Sequence, residues 1–206
     1  MSPSDGKAPP WSQDARWRAF HLMMDEEHHP KAKSLALNAE WFAKAYLEDD
    51  RTNGDSLCIA GNTGCGKTHA ARRIWDYVRG RQISAWAAGK FGAVDHIGAP
   101  AFLRWDKVAE VTDAEWAEII ASEVKPSRLV VLDDIGADTD RFKSGVPARR
   151  LKEVLDAAEG KWLLVTTNIA RPDFKAHFGQ RVADRLTRCR YLGLFEVPSY
   201  RQTKTV

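Results

Sequence analysis

Leu57-Cys58-Ile59-Ala60-Gly61-Asn62-Thr63-Gly64-Cys65-Gly66-Lys67-Thr68 decides how the rest of this 206-residue chain is read. An apolar run ends in a glycine, and Gly66, Lys67 and Thr68 follow at the spacing G-x-x-x-x-G-K-[ST], the P-loop pattern. The pattern requires a strand before it and a helix after it. The apolar run is the strand. The helix is expected over residues 69–78, where Ile74 and Val78 recur at helical spacing. Glycines at 61, 64 and 66 permit backbone conformations that a Cβ forbids, and they allow close approach to a ligand. Successive N–H groups then face inward, and the helix start adds free donors and the positive end of its dipole. Gly61, Asn62, Thr63, Gly64, Cys65, Gly66, Lys67 and Thr68 are therefore candidate phosphate-cradling residues. Lys67 is expected to reach the β- and γ-phosphates of a nucleotide, and the Thr68 hydroxyl to ligate Mg²⁺.

Arg128-Leu129-Val130-Val131-Leu132-Asp133-Asp134 is a second continuous apolar run, the pattern of a parallel strand buried on both faces. Two carboxylates end it. Ligands of open α/β sheets sit beyond the carboxyl ends of the strands, so Asp133 and Asp134 are carried to the edge that holds the P-loop. Asp133 is expected to hold Mg²⁺, directly or through water. Asp134 is expected to orient and polarise an attacking water. Trp162-Leu163-Leu164-Val165-Thr166-Thr167-Asn168 is a third run, ending in hydroxyls and an amide. Asn168 lands beside Asp134, where a neutral amide holds the water or the γ-phosphate without adding repulsive charge. After a turn at Arg171-Pro172-Asp173, residues 174–188 read as one helix with Arg181, Arg185 and Arg188 on one face, and residues 192–198 as a last strand.

The other stretches carry less chemistry. Residues 1–10 read as a disordered tail, and residues 11–50 as a short N-terminal helical segment. Within it, Trp11, Trp17, Phe20, Met23 and Met24 mark an amphipathic stretch. Leu35, Ala39, Phe42 and Tyr46 mark one side of a stronger helix over 33–48. Adjacent His28 and His29 face different directions on any regular element, with no third ligand near. Residues 101–105 read as a strand, Thr112 and Glu115 spell a capping box that opens a helix over 116–122, and residues 147–158 read as a further helix. No apolar run of about 18 residues is present to span a membrane, and residues 1–10 have no apolar signal region. Three cysteines without metal-like spacing fit a reducing cytoplasm. Cys65, near a helix N-terminus, is either a thiol of lowered pKa or a loop residue without redox role. The net charge is +3, yet residues 171–206 alone carry +5 and the rest −2. A basic end serves phosphates or is a solvated face; Arg141 with Lys143 and Arg149 with Arg150 are further basic candidates for DNA.

Together these motifs resemble those of the AAA+ ATPases. Residues 61–68 look like Walker A, Leu132-Asp133-Asp134-Ile135-Gly136 like Walker B, Thr166-Thr167-Asn168 like sensor 1, and Arg181-Val182-Ala183-Asp184-Arg185-Leu186 like box VII. The combination is similar to the DnaC/IstB-like branch over about residues 35–197. The resemblance implies an α/β AAA+ P-loop NTPase: a parallel five-stranded sheet with helices on both faces, no C-terminal lid domain, and residues 51–206 as the ATPase domain. It implies ATP and Mg²⁺ as cofactors and slow ATP hydrolysis stimulated by DNA or a partner. It also implies self-association in a ring or filament, with an arginine finger at Arg185, or as second choice Arg181, reaching the γ-phosphate of the adjoining subunit. The implied task is in DNA replication, loading a replicative helicase onto single-stranded DNA in the cytoplasm, with no membrane role. Two alternatives stay open. One is a transposition helper that binds duplex DNA and a transposase. The other is an ATP-gated structural module with little hydrolysis, because Asp134 stands where many AAA+ enzymes carry the longer Glu.

Overall fold

The apolar runs become the middle of a sheet. In the computed structural model, residues 30–48, 54–87, 99–108, 110–136 and 145–199 are described. The stretch from Trp11 to Met24, the His28–His29 pair, the tail of residues 1–10 and the Arg141 and Lys143 patch lie outside them. The elements are α1 (Pro30–Glu48), β1 (Ser56–Gly61), α2 (Lys67–Ala87), β2 (Ala101–Arg104), α3 (Trp105–Val108), α4 (Asp113–Ile119), β3 (Leu129–Ile135), α5 (Val146–Ala157), β4 (Trp162–Thr167), α6 (Phe174–Phe178), α7 (Gln180–Arg188) and β5 (Arg190–Leu194). A wide helical turn, Ile120–Val124, prolongs α4. The sheet order is β2-β3-β4-β1-β5, with every neighbouring pair parallel.

Alternation along the strands assigns the helices to faces. Leu57 and Ile59 of β1, Leu129 and Val131 of β3 and Leu164 of β4 join the core made with α1 and α2. Cys58, Val130, Leu132, Leu163 and Val165 join the opposite core with α3, α5, α6 and α7. On the first face, Trp162 receives Phe42 and Tyr46 edge-on, with ring centroids at 5.2 and 5.7 Å. That geometry suits aromatic quadrupoles and fixes α1 to the same core as the P-loop strand. Arg190 of β5 lies over Trp41 at 4.3 Å, and its Nε donates to Asn38 Oδ1 at 3.0 Å, so α1 also binds the β5 edge.

Local signals explain most boundaries. The capping box opens α4: the Glu115 N–H donates to Thr112 Oγ1, and the Thr112 N–H to Glu115 Oε2 at 2.6 Å. Several boundaries differ from expectation: α4 starts at Asp113, three residues early, β2 gives way to α3 at Trp105, and three larger differences follow. The helix over 174–188 is two helices, broken at Gly179, whose φ of 77° caps α6 and precedes α7. The P-loop helix runs through Gly80 to Ala87, because burial of Ile74, Tyr77 and Val78 outweighs the weak helix propensity of one glycine. The last strand spans Arg190–Leu194, starting two residues earlier than expected and ending four earlier. It ends because its partner β1 ends: Leu194 faces Gly61, where the P-loop leaves the sheet. No helix among the described residues is long and apolar enough to cross a membrane.

Candidate functional site

The P-loop leaves β1 at Gly61 and enters α2 at Lys67. Gly64 and Gly66 have φ of 84° and 100°, the left-handed values that a turn of inward-facing N–H groups demands. Lys67 is only 5 % exposed. Its ammonium donates to Gly61 O at 2.8 Å, Asn62 O at 3.0 Å and Asn168 Oδ1 at 2.7 Å. It therefore sits between the loop and the end of β4. Residues 61–68 include no acidic side chain. A polyphosphate fits this set: two left-handed glycines, a helix start and a primary ammonium with three donors.

Across the sheet the carboxylates come to the same edge. Asp133 is 3 % exposed, and its Oδ1 accepts from Thr166 Oγ1 at 2.7 Å. The same hydroxyl oxygen accepts the Asp134 N–H at 2.8 Å. Thr166 thus fixes both aspartates through one group. Here β3 advances three residues, Leu132 to Ile135, where β4 advances two, Val165 to Thr167, so a bulge falls on the two aspartates. Asp134 takes φ 63°, alone among the described non-glycine residues in being left-handed. Aspartate tolerates that conformation better than most residues, at a cost on the order of 1 kcal/mol.

Asn168 closes the circuit. Its Nδ2 donates to Asp134 Oδ1 at 3.0 Å while its Oδ1 accepts from Lys67, so Lys67, Asn168 and Asp134 form one hydrogen-bonded chain. Burial raises the Asp134 pKa above the usual carboxylate value; Lys67 opposes this, Asp133 and Asp106 add to it, and the Asn168 hydrogen bond lowers it. A neutral amide between the ammonium and the carboxylate orients both without itself titrating. Mg²⁺ is commonly held by one or two side chains plus phosphates and water, and Asp133 with Thr68 offers that number; Thr68 is exposed on the first turn of α2.

Two contributors were not singled out in the sequence. The Thr166 hydroxyl is one. Asp106 is the other, on the four-residue helix α3 that follows β2 and paired to Arg104 at 2.7 Å. Arg104 lies in register with Asp133, so this pair stands at the same carboxyl edge. The rule that ligands gather beyond strand ends was the available signal.

The arginines separate. Arg185 is ion-paired with Asp156 of α5 and lies 4.0 Å from Glu159, within its own chain. Arg181, one turn earlier, is exposed and has no ion pair among the described residues. Arg150 is 2 % exposed: it donates to Val108 O, donates to Asp113 Oδ1 at 2.8 Å, and lies over Trp116 at 5.7 Å. It is a structural brace, which removes it from the DNA candidates. Arg149 is exposed and paired with Asp113 and Glu153. Cys65 is 1 % exposed, its Sγ 4.0 Å from the Lys67 ammonium, so its thiol faces inward and not toward solvent.

The sequence matches no protein-family model and no curated protein. Solved structures match in fold. The DnaC helicase loader matches at 17 % identity and TM-score 0.57, over 86 % of this chain and 98 % of that one. DnaI matches at 17 % identity and TM-score 0.57, over 77 % of this chain and 84 % of that one. AMPPCP-bound DnaA from Aquifex aeolicus matches at 14 % identity and TM-score 0.53, over 84 % of this chain and 51 % of that one. The fold, a parallel five-stranded sheet flanked by helices, is the one seen in the solved DnaC helicase loader and DnaI.

Proposed function

We propose that this chain is an ATP-binding and hydrolysing AAA+ protein of DNA replication, a DnaC-like loader that places a replicative helicase on single-stranded DNA in the cytoplasm. The observation that carries the catalytic part is the chain from Lys67 through Asn168 to Asp134, which joins the loop, β4 and β3 at one edge. In this reading Lys67 and the loop amides bind the phosphates, Thr68 and Asp133 hold Mg²⁺, and Asn168 with Asp134 positions water. Bound Mg²⁺ supplies neutralisation of phosphate charge. The partner and the DNA are inferred from the likeness to a helicase loader, together with the arginines exposed on α7.

The arginine finger is better served by Arg181 than by Arg185. An arginine donated to a neighbouring subunit needs an unengaged fork, and Arg185 is held by Asp156. A second reading is favoured by Asp134. It is short, left-handed and held by Asn168, all of which suit a protein that binds ATP and turns it over slowly.

ATP turnover with and without single-stranded DNA tests both readings. Wild type, Arg181→Ala and Arg185→Ala are compared, each alone and mixed with Lys67→Ala. The loader reading expects DNA-stimulated turnover, a loss on the order of a thousandfold for Arg181→Ala with ATP binding retained, and partial recovery in the mixture. Arg185→Ala taking that role restores the first-choice finger. ATP bound without measurable turnover supports the gated module. Affinity capture that returns a transposase and no helicase overturns the loader.

A further inference from the structure

The sheet order gives the site two unlike sides. β1 stands between β4 and β5. On the β4 side lie Asn168, Asp134 and Asp133, the groups suited to the terminal phosphate. A nucleotide whose terminal phosphate meets them has its nucleoside half directed the other way, toward β5. That side is a strap, residues 195–199, which leaves β5 and folds onto the P-loop.

The strap is built into the loop. Its turn closes with the Val197 N–H on Leu194 O at 3.1 Å, and Val197 is 2 % exposed in the core shared with α2. The Asn62 side chain donates to Phe195 O at 2.7 Å. Glu196 pairs with Lys31 of α1 at 2.9 Å. Ser199 lies directly on Gly64: a Cβ there would stand 2.1 Å from Ser199 Oγ and 3.0 Å from Ser199 Cβ. The P-loop pattern fixes glycine at 61 and 66 and leaves position 64 open. Gly64 therefore answers to two demands, its φ of 84° and the hydroxyl packed against it. The Ser199 hydroxyl thus stands against the phosphate loop, on the side where no phosphate-processing group stands.

We propose that residues 195–199 form the nucleoside-side wall of the site and that Ser199 donates its hydroxyl to a ribose oxygen. Ser199 is thus a specificity-determining residue, separating a nucleoside triphosphate from a bare triphosphate. The proposal rests on the nucleotide reading above. Isothermal titration with ATP and with inorganic tripolyphosphate tests it, on wild type, Ser199→Ala, Asn62→Ala and Lys67→Ala, with thermal melting of each protein without ligand. Ser199→Ala is expected to weaken ATP roughly fivefold to tenfold, the loss of one hydrogen bond, and to leave tripolyphosphate unchanged. Asn62→Ala, which unties the strap, is expected to shift the same ratio in the same direction. Lys67→Ala weakens both ligands. Ser199→Ala that binds ATP like wild type overturns the proposal and leaves the P-loop reading standing. Equal loss of both ligands overturns it as well, since it marks Ser199 as structural only. A wild type that binds neither ligand removes the nucleotide reading and this proposal with it.

Discussion

The carboxyl edge of β1, β3 and β4 and the arginine-bearing faces of α5 and α7 are both dense in charge, and they are held in different ways. At the edge, Lys67 is surrounded by two carbonyls and an amide, Asp133 by a hydroxyl, and Asp134 by an amide and a hydroxyl-bound N–H. Neutral dipoles do much of the holding there, beside the attraction between Lys67 and Asp134 and the Arg104–Asp106 pair. On the helices, charge meets charge: Arg185 with Asp156, and Arg149 and Arg150 with Asp113. Those arginines are occupied, which leaves Arg181 as an exposed member of the set. Hydrogen bonds from neutral groups dominate at the edge, and direct ion pairs dominate on the helices.

Thr166→Val is the severest test of the edge. It strips the donor from a buried carboxylate and the acceptor from the Asp134 N–H, and should cost about 2–4 kcal/mol in urea denaturation. A cost below about 1 kcal/mol would mean that water replaces the hydroxyl and that the edge is wetter than described. Arg150→Met should cost roughly 2 kcal/mol, through Val108 O and the Trp116 contact, while Arg149→Ala stays within about 0.5 kcal/mol. Equal effects on stability, or a selective loss of DNA binding in Arg150→Met, would return Arg150 to the DNA candidates. Gly179→Ala should cost about 1–3 kcal/mol from backbone strain alone, since φ 77° with ψ 165° suits only glycine and nothing lies within 4 Å of the added Cβ.

The smallest effect is a difference of sign between two aspartates, read as melting temperature against pH. Burial raises the folded-state pKa of Asp134 above its usual 3.8. Its ionised form is therefore a burden that grows as pH rises through the folded-state value. Asp134→Asn should melt above wild type at pH 7, with the gain gone below about pH 3.8. Hydrogen bonds from Arg150 and Arg149 lower the Asp113 pKa. Its stabilisation is present above 3.8 and is lost as pH falls through the lowered value, so Asp113→Asn should melt below wild type at pH 7 and approach it in acid. Shifts of the same sign would break the contrast between the edge and the helices.

The readable parts share a cause. Strands buried on both faces need unbroken apolar runs, so β1, β3 and β4 were visible, and their polar ends placed Lys67, Asp133, Asp134 and Asn168 at one edge. What was hidden depends on contacts between segments far apart in the chain. Nothing in the Arg149-Arg150 dipeptide says which one turns inward; α3 and Trp116 decide that. The arginine spacing on α7 concealed the break at Gly179, because the periodicity begins only after it. The Thr166 hydroxyl, the Asp106 carboxylate and the strap on Gly64 are visible only once β3, β2 and β5 are laid side by side.

The thiols carry a practical consequence. Cys58, Cys65 and Cys189 are all buried and unpaired. Burial pushes the Cys58 thiol up and the Cys189 thiol to about 11, so thiolate is scarce at neutral pH. Alkylating reagents and mild oxidants therefore find little to attack in the native chain. One cysteine added at the surface away from the site, as in Lys152→Cys on the exposed face of α5, can take a fluorophore without prior removal of the other three. Energy transfer between labelled copies would then report subunit assembly directly.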